Sequence, residues 1–454
     1  MLSLIVLAAV QCAAAPQIAT LEAPDAIWDL AAKDLNQNGH KDIVALCGDP
    51  KSDPLRKYLA VFMSTGTGTY PSVPTFMMAL DPGAGGLFWA ETDGQPPREL
   101  VVTTPRGADV YAYREEGFER IRTIEFPSLL PGNVREPQFL DAIARDLNND
   151  GIDEWLIPTH TGYIIRTADR EYGIVECDIV SEVRGGSSVQ IRHRLPAPHL
   201  FSLEEQSPKG IAFLGEESVD FAYGEKWTQH TRYKLPINDD NEWDVSAQLK
   251  DINRNGLPDL IVTQTKGNVN ITVVTQVYIA TAPFTYPDEP TAEFEAKGAF
   301  ATPLLIDVDG DEQLDVMFIK VPFGVRNFMN LFLRRKVAID VDVFLFDGQT
   351  FSTRPDFSTS VTLDAPEGRE RPAFILADFD GDGRLDAMFG SGTDEVVIHT
   401  GEPERFISSR PWVTLPFKPF GEARTYDLNG NGAQDLVMFR PGGRQASKID
   451  IAVF

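Results

Sequence analysis

The sequence predicts an all-β propeller of eight four-stranded blades, and three observations carry the prediction. An acidic loop of fixed spacing recurs along the chain, a short apolar stretch follows nearly every copy, and each interval reads as four short strands. The clearest copy is Asp378-Phe379-Asp380-Gly381-Asp382-Gly383-Arg384-Leu385-Asp386, with carboxylates at the first, third, fifth and ninth places and glycine at the sixth. Alternate side chains of so tight a loop converge on one point, and hard oxygen donors in that arrangement suit Ca²⁺. Ala387-Met388-Phe389 follows at once, so the loop joins two strands rather than two helices.

The frame returns at Asp34, Asn36, Asn38 and Asp42, at Asp146, Asn148, Asp150 and Glu154, and at Asp251, Asn253, Asn255 and Asp259. It returns again at Asp427, Asn429, Asn431 and Asp435, and each of these four copies keeps glycine at the sixth place. The copy at Asp307, Asp309, Asp311 and Asp315 keeps four carboxylates but has Glu312 at that place. A single such loop would be weak evidence, because Asx turns use the same residues without metal. Two intervals are about twice the others, and degenerate copies fill them: one around Glu91, Asp93 and Glu99, one around Glu204 with its loop chemistry gone. Both are expected to have lost metal. Eight units result, 47 to 71 residues apart.

In the second unit, residues 86–90, 99–103, 109–113 and 121–126 read as the four strands; in the seventh, 373–377, 387–389, 395–399 and 412–415 do so. Radial repetition of four-stranded units is the propeller signature. The last unit supplies only three strands, ending at 449–454, and residues 17–21 are a spare strand before the first loop. Pairing them closes the ring and removes two exposed edges. A seven-bladed ring with one aberrant segment is the alternative. Near 323–336, Val325, Phe328, Met329 and Phe332 follow helical spacing and predict a short amphipathic helix.

The chain has 454 residues, 43% of them hydrophobic, and a formal charge of −26. That acidity argues against nucleic acid, whose binding rests on neutralising phosphates. Residues 1–15 form an apolar run ending in small residues and read as a signal peptide, which places residues 16–454 outside the cytoplasm, secreted or in the periplasm or cell envelope. No later run is long enough to span a membrane. Cys47 and Cys177 fall in different units, too far apart to pair, and read as small buried hydrophobes.

The Asp-x-(Asp/Asn)-x-(Asp/Asn)-Gly-x-x-Asp loops, each leading into a strand, resemble FG-GAP/VCBS-type repeats, the integrin α-subunit-like calcium-binding propeller. The resemblance covers essentially all of residues 16–454. It implies several structural Ca²⁺ ions held by the side chains named above, with carbonyls of the seventh residues His40, Ile152, Leu257, Gln313, Arg384 and Ala433 completing the six sites. It also implies that the loops join the first two strands of a blade on one face and that ligands meet the opposite face.

The loops expected on that opposite face carry Lys51, Arg56, Lys57, Arg106, His160, Lys266, Arg326, Arg440, Arg444 and Lys448. Connections between blades add Arg135, Arg369, Arg371 and Lys418, with Phe417 and Phe420 nearby. A partly basic face suits an anionic glycan or an acidic protein. Metalloprotease, nucleophile-elbow, phosphate-loop and zinc-finger spacings are all missing from the sequence. Trp28, Trp89 and Trp243 read as core. The favoured reading is a monomeric, non-catalytic module for protein or glycan. The alternative is a calcium-dependent polysaccharide lyase or other carbohydrate-active enzyme on the same scaffold, with His160 as base beside Arg106 or Arg440.

Overall fold

The computed structural model describes residues 15–454 apart from 50, 53–54, 116, 131, 133, 185–189, 204–207, 238–242, 268–270, 298–301, 321–335 and 365–370. The expected signal peptide (all but Ala15), the helix expected near 323–336 (all but Lys336, which begins the strand Lys336–Phe344), and Glu204, Arg326 and Arg369 therefore lie outside the described residues.

Eight four-stranded antiparallel sheets form, each from strands consecutive in the chain except the last. The first blade is Ala26–Lys33, Asp42–Asp49, Arg56–Phe62 and Phe76–Ala79. In the last, Glu422–Tyr426, Asp435–Phe439 and Lys448–Val453 are joined by Gln17–Glu22 from the other end of the chain. That strand pairs from Gln17 with Val453 to Glu22 with Lys448, and Leu21 is fully buried. The ring closes with eight blades, as the spare-strand argument expects; seven is excluded.

Burial follows position within a blade. Second strands such as Asp435–Phe439 are buried along their whole length, whereas fourth strands such as Gln229–Lys234 alternate exposed and half-buried residues. An apolar run is therefore flanked by neighbouring blades, and a polar-alternating run forms the outer edge, where charge discourages further pairing. Packing between blades supplies the core: Phe379, Met388 and Leu415 of the seventh blade meet Leu436, Met438 and Ala452 of the eighth.

One element escaped the sequence reading. Val180–Arg184 and Gln190–Arg194 make a separate two-stranded hairpin between the third and fourth blades. Its alternation is short and the boundary between those units has no acidic loop, so no periodic signal marks it.

Antiparallel order fixes the two faces. The acidic loops join first to second strands and share their face with the third-to-fourth connections. The second-to-third turns and the links between blades share the other face.

Candidate functional site

Each acidic loop is shaped by its own side chains. In the loop from Asp378, the first carboxylate accepts the amides of Gly381 (2.7 Å), Asp382 (3.1 Å) and Gly383 (2.8 Å). The fifth residue's Oδ1 accepts the amide of the seventh in all six loops, onto His40, Ile152, Leu257, Gln313, Arg384 and Ala433 at 2.8–2.9 Å. The sixth place has positive φ throughout, at Gly39, Gly151, Gly256, Gly383 and Gly432, and at Glu312 with φ 72°. Glu312 therefore keeps the turn at the cost of left-handed strain. The fourth place is left-handed too, at Gln37, Asn149, Arg254, Gly310, Gly381 and Gly430. The three glycines there meet the same left-handed requirement.

The ninth carboxylate is a clamp. Asp386 Oδ2 accepts the amide of Phe379 at 2.8 Å, and its Oδ1 accepts that of Gly401, beyond the third strand, at 2.8 Å. Asp42, Asp259, Asp315 and Asp435 repeat both bonds. All five are fully or almost fully buried. Burial, aided by neighbouring carboxylates, pushes the carboxyls of Asp259, Asp315 and Asp386 up to about 7 and that of Asp435 to about 6. A bound dication would pull them down again.

The loops also tie blades together. The carbonyl of Leu428 accepts the amide of Lys41, that of Ile252 the amide of Leu314, and that of Val308 the amide of Leu385, at 2.8–3.2 Å. Second-place side chains plug the same seams: Leu35, Leu147, Ile252, Val308, Phe379 and Leu428 are at most 4% exposed.

Three loops bring carboxylate oxygens close enough together to hold a metal ion. Carboxylate oxygens lie within 4.8 Å of one another in the groups Asp307, Asp309 and Asp311; Asp378, Asp380 and Asp386; and Glu91, Asp93 and Glu99. The last group belongs to the loop expected to have lost metal, and its geometry is as convergent as that of the two four-carboxylate loops. In the loop from Asp146, Asn148 instead donates its Nδ2 inward, to Asp150 Oδ2 (3.0 Å) and Glu154 Oε1 (2.7 Å). In the loop from Asp427, Asn429 and Asn431 turn their amides to the Phe454 carbonyl. Asparagine thus supplies a proton donor where the acidic loops converge on oxygen alone.

The opposite face is less basic than its composition suggests. Lys57 is buried, with Nζ on the carbonyls of Pro82 and Ala84 at 2.8 Å, and Arg440 is 3% exposed and paired with Asp450 at 2.8 Å. Neither belongs to an exposed loop, which corrects the sequence reading. Arg56 pairs with Asp49 (3.0 Å), Arg371 with Glu422 (3.2 Å), and Lys418 with Asp394. His160 meets the ring of His193 edge-on at 4.9 Å.

Two clefts open on this face. One, about 510 Å³, lies at the junction of the last two blades and is walled by Phe420, Pro441 and Gly442, with the Arg371–Glu422 pair on its rim. The other, about 820 Å³, separates the fourth and fifth blades and holds Trp243, Arg194, Arg232 and several carboxylates. A third, about 440 Å³, lies between the sixth and seventh blades and holds His399 and Arg405. His399 is engaged through Nδ1 with the Ser408 carbonyl at 2.8 Å and stacks on Phe389. Among the described residues, the linings of these three clefts hold no His, Lys or Tyr together with two arginines, although Lys266 lies against Trp243 at the edge of the cleft with Arg194 and Arg232.

No family model and no curated protein matches the chain. Solved structures do. A lectin from Agrocybe aegerita, described as recognising non-reducing terminal N-acetylglucosamine, is 13% identical over 94% of this chain and 99% of its own, with a TM-score of 0.44. A protein from Lactobacillus plantarum is 13% identical over 75% of this chain and 86% of its own, at 0.30. The exotype rhamnogalacturonan lyase YesX is 12% identical over 95% and 90%, at 0.26. The propeller assignment rests on this chain's own strand pairing.

Proposed function

We propose that the protein is a calcium-binding propeller of the FG-GAP/VCBS type, secreted or periplasmic, that binds glycan without catalysis on the face opposite its acidic loops. The observation that carries the reading is the build of the two clefts on that face. Each sets an aromatic side chain beside both guanidinium and carboxylate groups. An apolar wall with a few polar groups that both donate and accept is what a sugar ring, with C–H faces and hydroxyl edges, requires.

Calcium would supply charge neutralisation. Asp378, Asp380, Asp382 and Asp386 would hold it in the seventh blade, Asp307, Asp309, Asp311 and Asp315 in the sixth, and Glu91, Asp93 and Glu99 in the second. The protein's own part is to keep those oxygens convergent through the amide bonds described, so that the seams between blades stiffen when the charge is met.

Purified protein in calcium, passed over a panel of neutral and acidic polysaccharides, tests the reading. Retention by a discrete subset, with no rise in ultraviolet absorbance from unsaturated sugar ends, is expected. Such a rise would replace binding with lyase chemistry. Retention by no glycan would move the search to protein partners.

A further inference from the structure

Of the six tryptophans, Trp28, Trp89, Trp155 and Trp227 are at most 7% exposed. Trp412 is half-buried and stacks on Phe454 at 5.6 Å. Trp243 differs. Half-buried like Trp412, it borders the largest of the three clefts, and Lys266 Nζ lies 5.6 Å from its ring centre. Trp243 thus sits at a cleft rather than in the core expected for it along with Trp28 and Trp89.

Four carboxylates line the groove, those of Asp178, Glu216, Glu217 and Asp244, against the guanidiniums of Arg194 and Arg232 and the Lys266 amine beside the Trp243 ring. Glu216 and Glu217, in the turn between the second and third strands of the fourth blade, and Asp244, at the start of the fifth, are exposed and line the groove. Among the described residues their carboxylates have no hydrogen bond or ion pair. Arg232 is already engaged by Asp220 and, at 3.4 Å, by Asp178. The groove therefore offers acceptors in excess and repels anions.

We infer that this groove is a subsite for a non-anionic glycan chain, with Trp243 as the stacking platform and Glu216, Glu217 and Asp244 accepting from sugar hydroxyls. The inference rests on the glycan-binding reading above and narrows it, replacing the anionic polymer that the sequence suggested. An aromatic face buries the apolar side of a pyranose, and charge-assisted bonds from hydroxyls to carboxylates fix its orientation.

Binding of labelled cello-, malto- and manno-oligosaccharides, with oligogalacturonate as the anionic arm, tests it by fluorescence titration in calcium. At least one neutral series should bind, Trp243→Ala should weaken it about tenfold or more, and Trp243→Phe should recover most of the loss. Glu217→Gln and Asp244→Asn, changes of exposed side chains, should each weaken it severalfold, and they carry the test if Trp243→Ala fails to fold. Neutral binding that survives all of these but falls with Phe420→Ala would overturn the inference and leave the wider reading standing. Binding of oligogalacturonate alone would also overturn it. Binding of no member would remove the wider reading itself, and this inference with it.

Discussion

On the face of the acidic loops, opposite ends of the chain build the same object. Asp42 in the first blade and Asp435 in the last each clamp the amide of the loop's second residue and an amide beyond the third strand, within 2.7–3.0 Å. On the other face no two clefts match. Phe420, Pro441 and a single Arg–Glu pair wall one, and Trp243 with a cluster of acids walls another. Repeated geometry serves the ring, and unrepeated chemistry is where a ligand can be selected. A cleft made of links between blades is free to vary because no ladder hydrogen bond depends on its side chains.

The most severe way to break the comparison is to open the ring. Deleting residues 17–22 bares the edge of Lys448–Val453 and the cavity filled by Leu21. Loss of a cooperative melt, with aggregation visible by light scattering, is expected. A deletion variant that melts like the parent would refute closure by this strand.

Next comes the clamp against its own loop. Asp386→Ala in chelator strands two amides and should cost about 3 kcal/mol in urea unfolding. Asp382→Ala, on the exposed loop tip, should cost under about 0.5 kcal/mol in chelator and more in calcium. Equal costs in chelator would show that the ninth carboxylate has no role of its own.

The smallest effect sharpens the repeat. Glu312→Gly removes a side chain from a left-handed position and should stabilise by about 0.5–1 kcal/mol, raising the urea midpoint. The ion pair it forfeits, Arg254 to Glu312 at 3.1 Å, is exposed on both sides and worth little. A lowered midpoint would mean that the pair, not the turn, holds this seam.

The fold was legible because its signal is periodic. Loop spacing located six blades, the interval lengths located two more, and the spare strand at Gln17 showed how the ring closes. The clamp role of Asp386 and its counterparts was not legible, because a carboxylate that accepts two amides has the same letter as one that holds a metal. Nor was the Glu91 group: with Pro96 where glycine is expected, its sequence departs from the repeat while its oxygens still converge. Lys57 and Arg440 misled because a charged letter near a strand end does not say whether its head group finds buried carbonyls or a carboxylate. The paired cations then made a face look basic that, around Trp243, sets four carboxylates against three cations.

Thermal unfolding in calcium and in excess chelator tests the braced ring most directly. A ligand held only by the folded state stabilises by about 2.7 kcal/mol per site at a hundredfold excess over its dissociation constant. A clear rise in the unfolding temperature with calcium is expected, diminished by Asp382→Ala and reversed by chelator. Identical melts in both conditions would contradict it and leave the acidic loops as turns held by their own amides.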